Sequence, residues 1–379
     1  MRKILPIRFF HYDVLVFDII GENWIHHCLP DGYTVKRLDI RDHIPILLDI
    51  RFLFMFIKRS FLARRTGRYN RSYAWLSALF DRIAPKIILT CADNNPLISR
   101  YAEARTDVNI IFLQNALRSA HFSSFRSSQL PHYLSLGELE QPMFESIGVT
   151  CRHYRPTGSV KLGLALQRAG NADFPHFDLC FISHYRTELF AHDSSFLFQN
   201  IEKIQRILFQ RLCEYASSRR LSLAILCKSR DTITQAAESH YFSTIAPSAR
   251  FEFIRSDKAD HEFDSYLTGL ASDFIVHPAS TLGFELFAAG KKVLFGASAN
   301  SNLIKQWGIK FYFDALPDLV RLKDDTSKGF FKQCDHIRGM TDFEFSNSSR
   351  TAATRIVSMP HNEYPHENIN RFISGLLSK

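Results

Sequence analysis

The chain has 379 residues, 46% hydrophobic and 22% charged, which describes a folded protein large enough for two domains and excludes a disordered or fibrous chain. Lys and Arg number 47 against 38 Asp and Glu, a net charge of +9, so the expected partners are anionic: phosphorylated substrates or lipid headgroups, with nucleic acid set aside because no RNA-binding signature or zinc finger accompanies the charge. Seven scattered cysteines without a C-x-x-C pair fit reduced thiols, and the absence of a bilayer-length apolar run or of a cleavage site after Arg2-Lys3 leads to the expectation of a cytoplasmic protein.

In chain order, Tyr12 to Ile19 is an apolar run of the kind a buried parallel strand shows, and Thr34 to Asp39 resembles it. A long helical region then runs to about residue 83. Within it, Arg51, Lys58, Arg59, Arg64, Arg65, Arg68 and Arg71 sit beside Phe52, Leu53, Phe54, Phe56, Ile57, Phe61 and Leu62. Such a basic, Phe-rich helix fits two situations: docking on an anionic membrane, peripheral at the inner face, or packing its Phe face on a sheet. Pro85 to Cys91 and Val108 to Gln114 read as further strands, separated by a helix from about Pro96 to Arg105. Each ends in polar residues, Asp93-Asn94-Asn95 and Gln114-Asn115 with Arg118, which in an open α/β sheet would share one ligand-binding rim. Asn95 also suits the cap of the helix that Pro96 opens.

Tyr133 to Leu136 is a short strand, followed by the turn Gly137-Glu138; Pro156 and Gly158 mark a connector. A second α/β series follows. Phe177 to Ile182 is a strand ending in Ser183-His184-Tyr185-Arg186, and Ile201 to Ser218 is an amphipathic helix. Leu221 to Leu226 ends in Cys227-Lys228-Ser229-Arg230, and Phe251 to Ile254 ends in Arg255. The most informative stretch is Ala271 to Phe295. It reads as a strand (Asp273 to Val276), a His277-Pro278 turn, a helix opening at Ser280 or Thr281 and stopping at Gly290, and a strand from Lys292 to Phe295. A helix N-terminus at the carboxyl end of a parallel strand offers N–H groups to an anion. Glu285, one turn beyond Thr281, would then be placed to accept hydrogen bonds from a ribose.

Asp273, Ser280, Thr281, Gly283 and Glu285, followed by Gly-Lys and a strand, resemble the donor-binding element of GT-B glycosyltransferases of bacterial surface-polysaccharide and lipopolysaccharide assembly. His277-Pro278 resembles the His-Pro motif of members that use CMP-activated acidic sugars such as Kdo or sialic acid, where it meets the donor phosphate. Asp93-Asn94-Asn95-Pro96 and Gln114-Asn115-Ala116-Leu117-Arg118 are similar to strings in uncharacterised surface-carbohydrate biosynthesis proteins, with Ala116 where Gly is usual. The resemblance implies a GT-B layout of two Rossmann-like domains across a cleft: an acceptor-side domain over 1–160 and a nucleotide-sugar-binding domain with C-terminal helices over 161–379.

It further implies a glycosyltransferase moving a sugar from a nucleotide donor to a surface glycan or lipid-linked acceptor. Arg186, Lys228, Arg230, His277, Pro278, Ser280, Thr281 and Glu285 would bind donor nucleotide and phosphate, and Asn94, Asn95, Gln114, Asn115 and Arg118 would form the acceptor rim. Cations would neutralise the leaving nucleotide in place of a metal or other cofactor, and neither an Asp-x-Asp motif nor a Walker loop is present. Asp93, Glu138, His184 and His277 are the candidate catalytic residues, and a phosphate beside His277 would raise its pKa. Two rivals remain: a CDP-glycerol-type polyol-phosphate transferase, and a non-catalytic glycan- or lipid-binding assembly protein.

Overall fold

The structure, a computed structural model, describes residues 3–6, 12–18, 21, 23–39, 43–46, 49–66, 71–121, 128–170, 174–186, 196–229, 231–255, 263–359 and 363–378. Its first half contains β1 (Lys3–Pro6), β2 (Val14–Phe17), β3 (Val35–Leu38), β4 (His43–Ile46), α1 (Ile50–Thr66), α2 (Arg71–Ile83), β5 (Ile87–Thr90), α3 (Pro96–Ala104), β6 (Asn109–Leu113), β7 (Gln129–Ser135), α4 (Glu140–Ser146), β8 (Thr150–Pro156) and α5 (Val160–Ala169). Six of these strands form a parallel sheet in the order β3-β2-β5-β6-β7-β8; β1 and β4 pair apart from it. Successive residues alternate between its faces. Leu15, Phe17 and Ile88 pack beneath α1, α2 and α3, whereas Val14, Val16, Ile87 and Leu89 face Trp24, Val160 and Leu164.

The second half contains β9 (Leu179–Ile182), α6 (Phe196–Arg219), β10 (Leu223–Leu226), α7 (Thr232–Ile245), β11 (Glu252–Ile254), α8 (Asp264–Ala271), β12 (Phe274–His277), α9 (Thr281–Ala288), β13 (Lys292–Phe295), α10 (Ser301–Gln306), α11 (Lys310–Ala315), α12 (Ser327–Gly339), α13 (Asp342–Ile356) and α14 (Pro365–Leu377). Its sheet is parallel, in the order β11-β10-β9-β12-β13. The apolar runs of the inner strands β2, β5, β9, β10 and β12 are buried on both faces, as parallel sheets require. The architecture is GT-B, two Rossmann-like halves each with a parallel sheet.

The chain crosses between the halves twice. At the first crossing Gly158 takes φ +85°, and a Cβ there would lie 2.2 Å from the carbonyl oxygen of Ser358, which belongs to the second crossing. Ser358 N–H in turn donates to Leu136 O at 2.7 Å. After this return α14 lays Ile369, Ile373 and Leu377 on the first sheet beside Val160 and Leu164 of α5. The C-terminal helix, expected with the second half, thus completes the core of the first.

Candidate functional site

The carboxyl edge of the second sheet carries Ser183 to Arg186 after β9, Cys227 to Ser229 after β10, and the turn from Pro278 to Ser280 after β12. Arg230 and Ser256 lie outside the described residues. Glu238, fully buried on α7, shapes the β10 end: its Oε1 accepts from Lys228 N–H and its Oε2 from Ser229 N–H, both at 3.0 Å. Lys228 and Arg186 are exposed at this edge.

The β12 turn is built differently from the expected hydroxyl cap. Ser280 is the N-cap of α9 but its side chain makes no capping bond; its backbone N–H donates instead to His277 Nδ1 at 2.8 Å. The proton of the neutral ring therefore sits on Nε2, which has no partner among the described residues. The ring is fully buried against Phe295 at 4.6 Å and Phe284 at 5.9 Å. Burial drives its pKa down to about 3, so the ring as folded is neutral and organises the turn; a raised pKa is expected only with a donor phosphate beside it. A Cβ on Gly283 would fall 2.2 Å from His277 Nε2, which makes this glycine a seat for the ring. Gly290 does end the helix with the expected left-handed conformation, φ +84°.

Glu285 also sits deeper than expected. It is buried, with Oε1 accepting from Ser159 Oγ at 2.5 Å and Oε2 from Tyr266 Oη at 2.7 Å. Both oxygens are thus used to tie α9 to the first crossing and to α8, and burial raises its pKa. The ribose-binding role expected for it is replaced by this internal one.

The first half meets this edge through residues 114–121. Leu117 N–H donates to Thr281 Oγ1 at 3.3 Å, and Arg118 N–H to Tyr312 Oη at 3.1 Å and Glu140 Oε1 at 2.9 Å. Tyr312 Oη also donates to Glu140 Oε1. Ser119 Oγ donates to Trp307 O at 2.6 Å, and Ala120 N–H to Gly308 O at 2.9 Å. The loop around Gln114 to Arg118 is therefore seated on the N-terminus of α9 and on the α10–α11 segment. Ala116 needs no left-handed backbone: among the described residues only Asp18, Ala84 and Arg220 combine a side chain with positive φ.

Asp93, expected as a base, is corrected to one half of a buried ion pair. Its Oδ2 accepts from Arg118 Nε and from Tyr133 Oη, each at 2.8 Å, and its Oδ1 from the Arg118 guanidinium. Buried charges persist when paired and hydrogen-bonded in this way. Asn115 Oδ1 accepts from the same guanidinium at 2.9 Å. Gln114 is also interior: its amide donates to Ala116 O and Glu140 Oε1, and its Oε1 accepts from Leu136 N–H. Asn95 caps α3 through Leu97 N–H at 3.0 Å, and Asn94 is exposed on the rim.

Of the catalytic candidates, His184 reaches this junction. Its ring is buried edge-on to Trp307 at 5.0 Å, its Nε2 has no partner among the described residues, and its backbone N–H is held by Gln205 Oε1 at 2.5 Å. Burial, then the charges of Lys228 and Arg186, holds its pKa well below the usual value, so the ring is neutral. Glu138 is exposed elsewhere: its amide binds Arg355 O at 2.9 Å, and it lines a cavity of about 880 Å³ with the C-terminal residues of α9 and with Arg350 and Arg355. This cavity lies at the opposite end of α9 from Thr281.

The carboxyl that does reach the junction is Glu140, two residues on, which sequence reasoning misses. It is fully buried, its Oε2 has no partner among the described residues, and burial pushes its pKa up to about 8 despite the bonds from Arg118 and Gln114. Its position at the start of a helix directly after the Gly137 turn is the available signal.

Residues 156–373, more than half of the chain, match the family described as "putative O-antigen biosynthesis protein". The chain belongs to this family. No curated protein matches it. Among solved structures, it is similar to the UDP-GlcNAc 2-epimerase of Neisseria meningitidis bound to UDP-GlcNAc, with 12% identity, TM-score 0.51, and coverage of 97% of this chain and 99% of that one. The Methanocaldococcus jannaschii UDP-GlcNAc 2-epimerase in complex with UDP-GlcNAc and UDP matches at 10% identity and TM-score 0.53, over 97% and 99%. The wall teichoic acid polymerase TagF matches at 10% identity and TM-score 0.55, over 97% and 89%. At such identities the likeness establishes the shared fold. No helix among the described residues is long and apolar enough to cross a membrane.

Proposed function

We propose that this O-antigen family member is a glycosyltransferase that takes a nucleotide-activated sugar at the N-terminus of α9 and passes the sugar to a surface glycan or lipid-linked acceptor. The observation that carries the reading is the convergence at Thr281: the α9 N-terminus, at the carboxyl edge of one parallel sheet, meets the Leu117–Arg118 loop from the carboxyl edge of the other. An anion at that helix end is favoured by the free N–H groups and the dipole. Ser280 and Thr281 would bind the donor phosphate, with Lys228 and Arg186 supplying the charge that makes a metal unnecessary. His184 would face the sugar as a neutral donor or acceptor, and Asn94 and Asn115 the acceptor. Glu140 holds the first-half loop against Tyr312 and is read as a positioning residue.

Because His277 lies beneath the cap, the His-Pro pair supports the shape of the site and no particular nucleotide. The likeness to a wall teichoic acid polymerase favours a second reading, transfer of a polyol phosphate from a CDP-activated donor. Calorimetric titration with CMP, CDP, UDP and GDP tests both: one nucleotide should bind without added metal and in the presence of EDTA, and Thr281→Val should weaken it by about 1 kcal/mol, the scale of one lost hydrogen bond. A preference for CDP selects the second reading. Failure of all four to bind would overturn both and leave the non-catalytic glycan- or lipid-binding role.

A further inference from the structure

Helix α1 has two apolar faces, one packed on the core and the other exposed. Phe52 is buried, and Met55 and Phe56 pack with it on the first core. Ile50, Leu53, Phe54, Ile57 and Phe61 point the other way and are between 54 and 83% exposed. Their spacing, i, i+3, i+4, i+7 and i+11, makes one continuous stripe along more than three helical turns. The other strongly exposed large apolar side chains among the described residues, Ile233 and Phe343, stand singly on separate helices.

The charge beside the stripe is of one sign. The α1 segment contains five basic residues, Arg51, Lys58, Arg59, Arg64 and Arg65, and no acidic one. The neighbouring carboxylates are consumed elsewhere: Asp49 by Arg82, and Asp81 by Arg59 and Arg105. Arg51 and Lys58, both exposed, fall at 80–100° from the centre of the stripe at about 100° per residue, on its flank. An apolar stripe flanked by cations matches the boundary between the acyl chains and the headgroups of an anionic bilayer. We propose that α1 docks the protein on an anionic membrane surface, lying in the plane of the headgroups.

The topology aims this surface usefully. Because α2 leads into β5, it starts at the carboxyl edge of the sheet, the edge that carries Asn94 and Asn115, and since α1 ends at Thr66 and α2 begins at Arg71, the C-terminal end of α1 lies within about 17 Å of the start of α2. The docking inference does not depend on which reaction occurs there.

Co-sedimentation with vesicles tests it, using phosphatidylcholine alone and phosphatidylcholine mixed with phosphatidylglycerol, at low and high salt. Binding should require phosphatidylglycerol and weaken as salt screens the charges. Removing both cations with Arg51→Ser and Lys58→Ser should weaken it by roughly fivefold per charge. Phe54→Ser with Ile57→Ser should weaken it by roughly tenfold or more, with an unchanged melting temperature because these side chains are exposed in the fold. Equal binding to neutral vesicles would overturn the proposal. So would an absence of binding accompanied by concentration-dependent dimers in sedimentation velocity that the Ser variants abolish, since a second copy would then cover the stripe.

Discussion

Glu140→Gln tests the buried link between the halves. The folded carboxyl has its pKa pushed up to about 8 against an ordinary 4.5, so over the window between those values the unfolded chain is ionised while the folded protein holds its proton. The group's contribution to stability is complete below the unfolded pKa and is lost as pH rises toward the folded one. A tenfold difference in proton affinity between the two states is worth about 1.4 kcal/mol, so between about pH 6 and pH 9 the wild type should lose about 2–3 kcal/mol from this group alone. The glutamine variant keeps the acceptor for Arg118 N–H, Gln114 and Tyr312, and its amide takes the place of the protonated Oε2. It should therefore be the more stable of the two across this range, by a margin that grows by about 2–3 kcal/mol from pH 6 to pH 9, roughly 5–10 °C in melting temperature for a domain of this size. Thermal unfolding of both proteins across that range is the measurement. Parallel pH profiles would mean that the carboxylate is already ionised in the folded state and that burial does not hold its proton.

Gly283→Ala should cost about 1–3 kcal/mol through overpacking on the His277 ring, and most of that cost should vanish in a His277→Ala background; additive losses in the denaturant double-mutant cycle would show that the two residues are uncoupled. Asp93→Ala should destabilise by about 3–5 kcal/mol by stranding Arg118, and an Asp93→Asn protein of wild-type stability but without turnover would instead restore Asp93 as a base.

Much of the fold is legible because parallel strands buried on both faces are written as uninterrupted apolar runs. Val14 to Phe17, Ile87 to Thr90, Leu179 to Ile182 and Phe274 to His277 all fall where such runs stand. Strand β8 reads as connector in the sequence because it is largely exposed, and Pro156 at its end with Gly158 just beyond looks like a break. The motif strings locate the junction correctly but hide the direction of their side chains. His277, Glu285 and Asp93 are polar types whose partners, Ser280 N–H, Ser159 with Tyr266, and Arg118 with Tyr133, satisfy them inward. Glu140 escapes notice because its link to Tyr312 spans 172 residues, and no local spacing encodes so distant a contact. The basic helix fits two alternatives in sequence, and its buried Phe52 and exposed Phe54 show that it packs one face on the core and presents the other outward.

The two crossings lie against each other where Gly158 abuts Ser358 and Ser358 reaches Leu136. The halves are thus joined by a seam of two chain segments, with no single tether free to twist. Any opening of the junction at Thr281 would have to turn about that seam, as a door on two pins. Because α14 is threaded back onto the first sheet after the second crossing, removing the C-terminal helix would take out one of the pins and uncover apolar surface on the opposite half of the molecule.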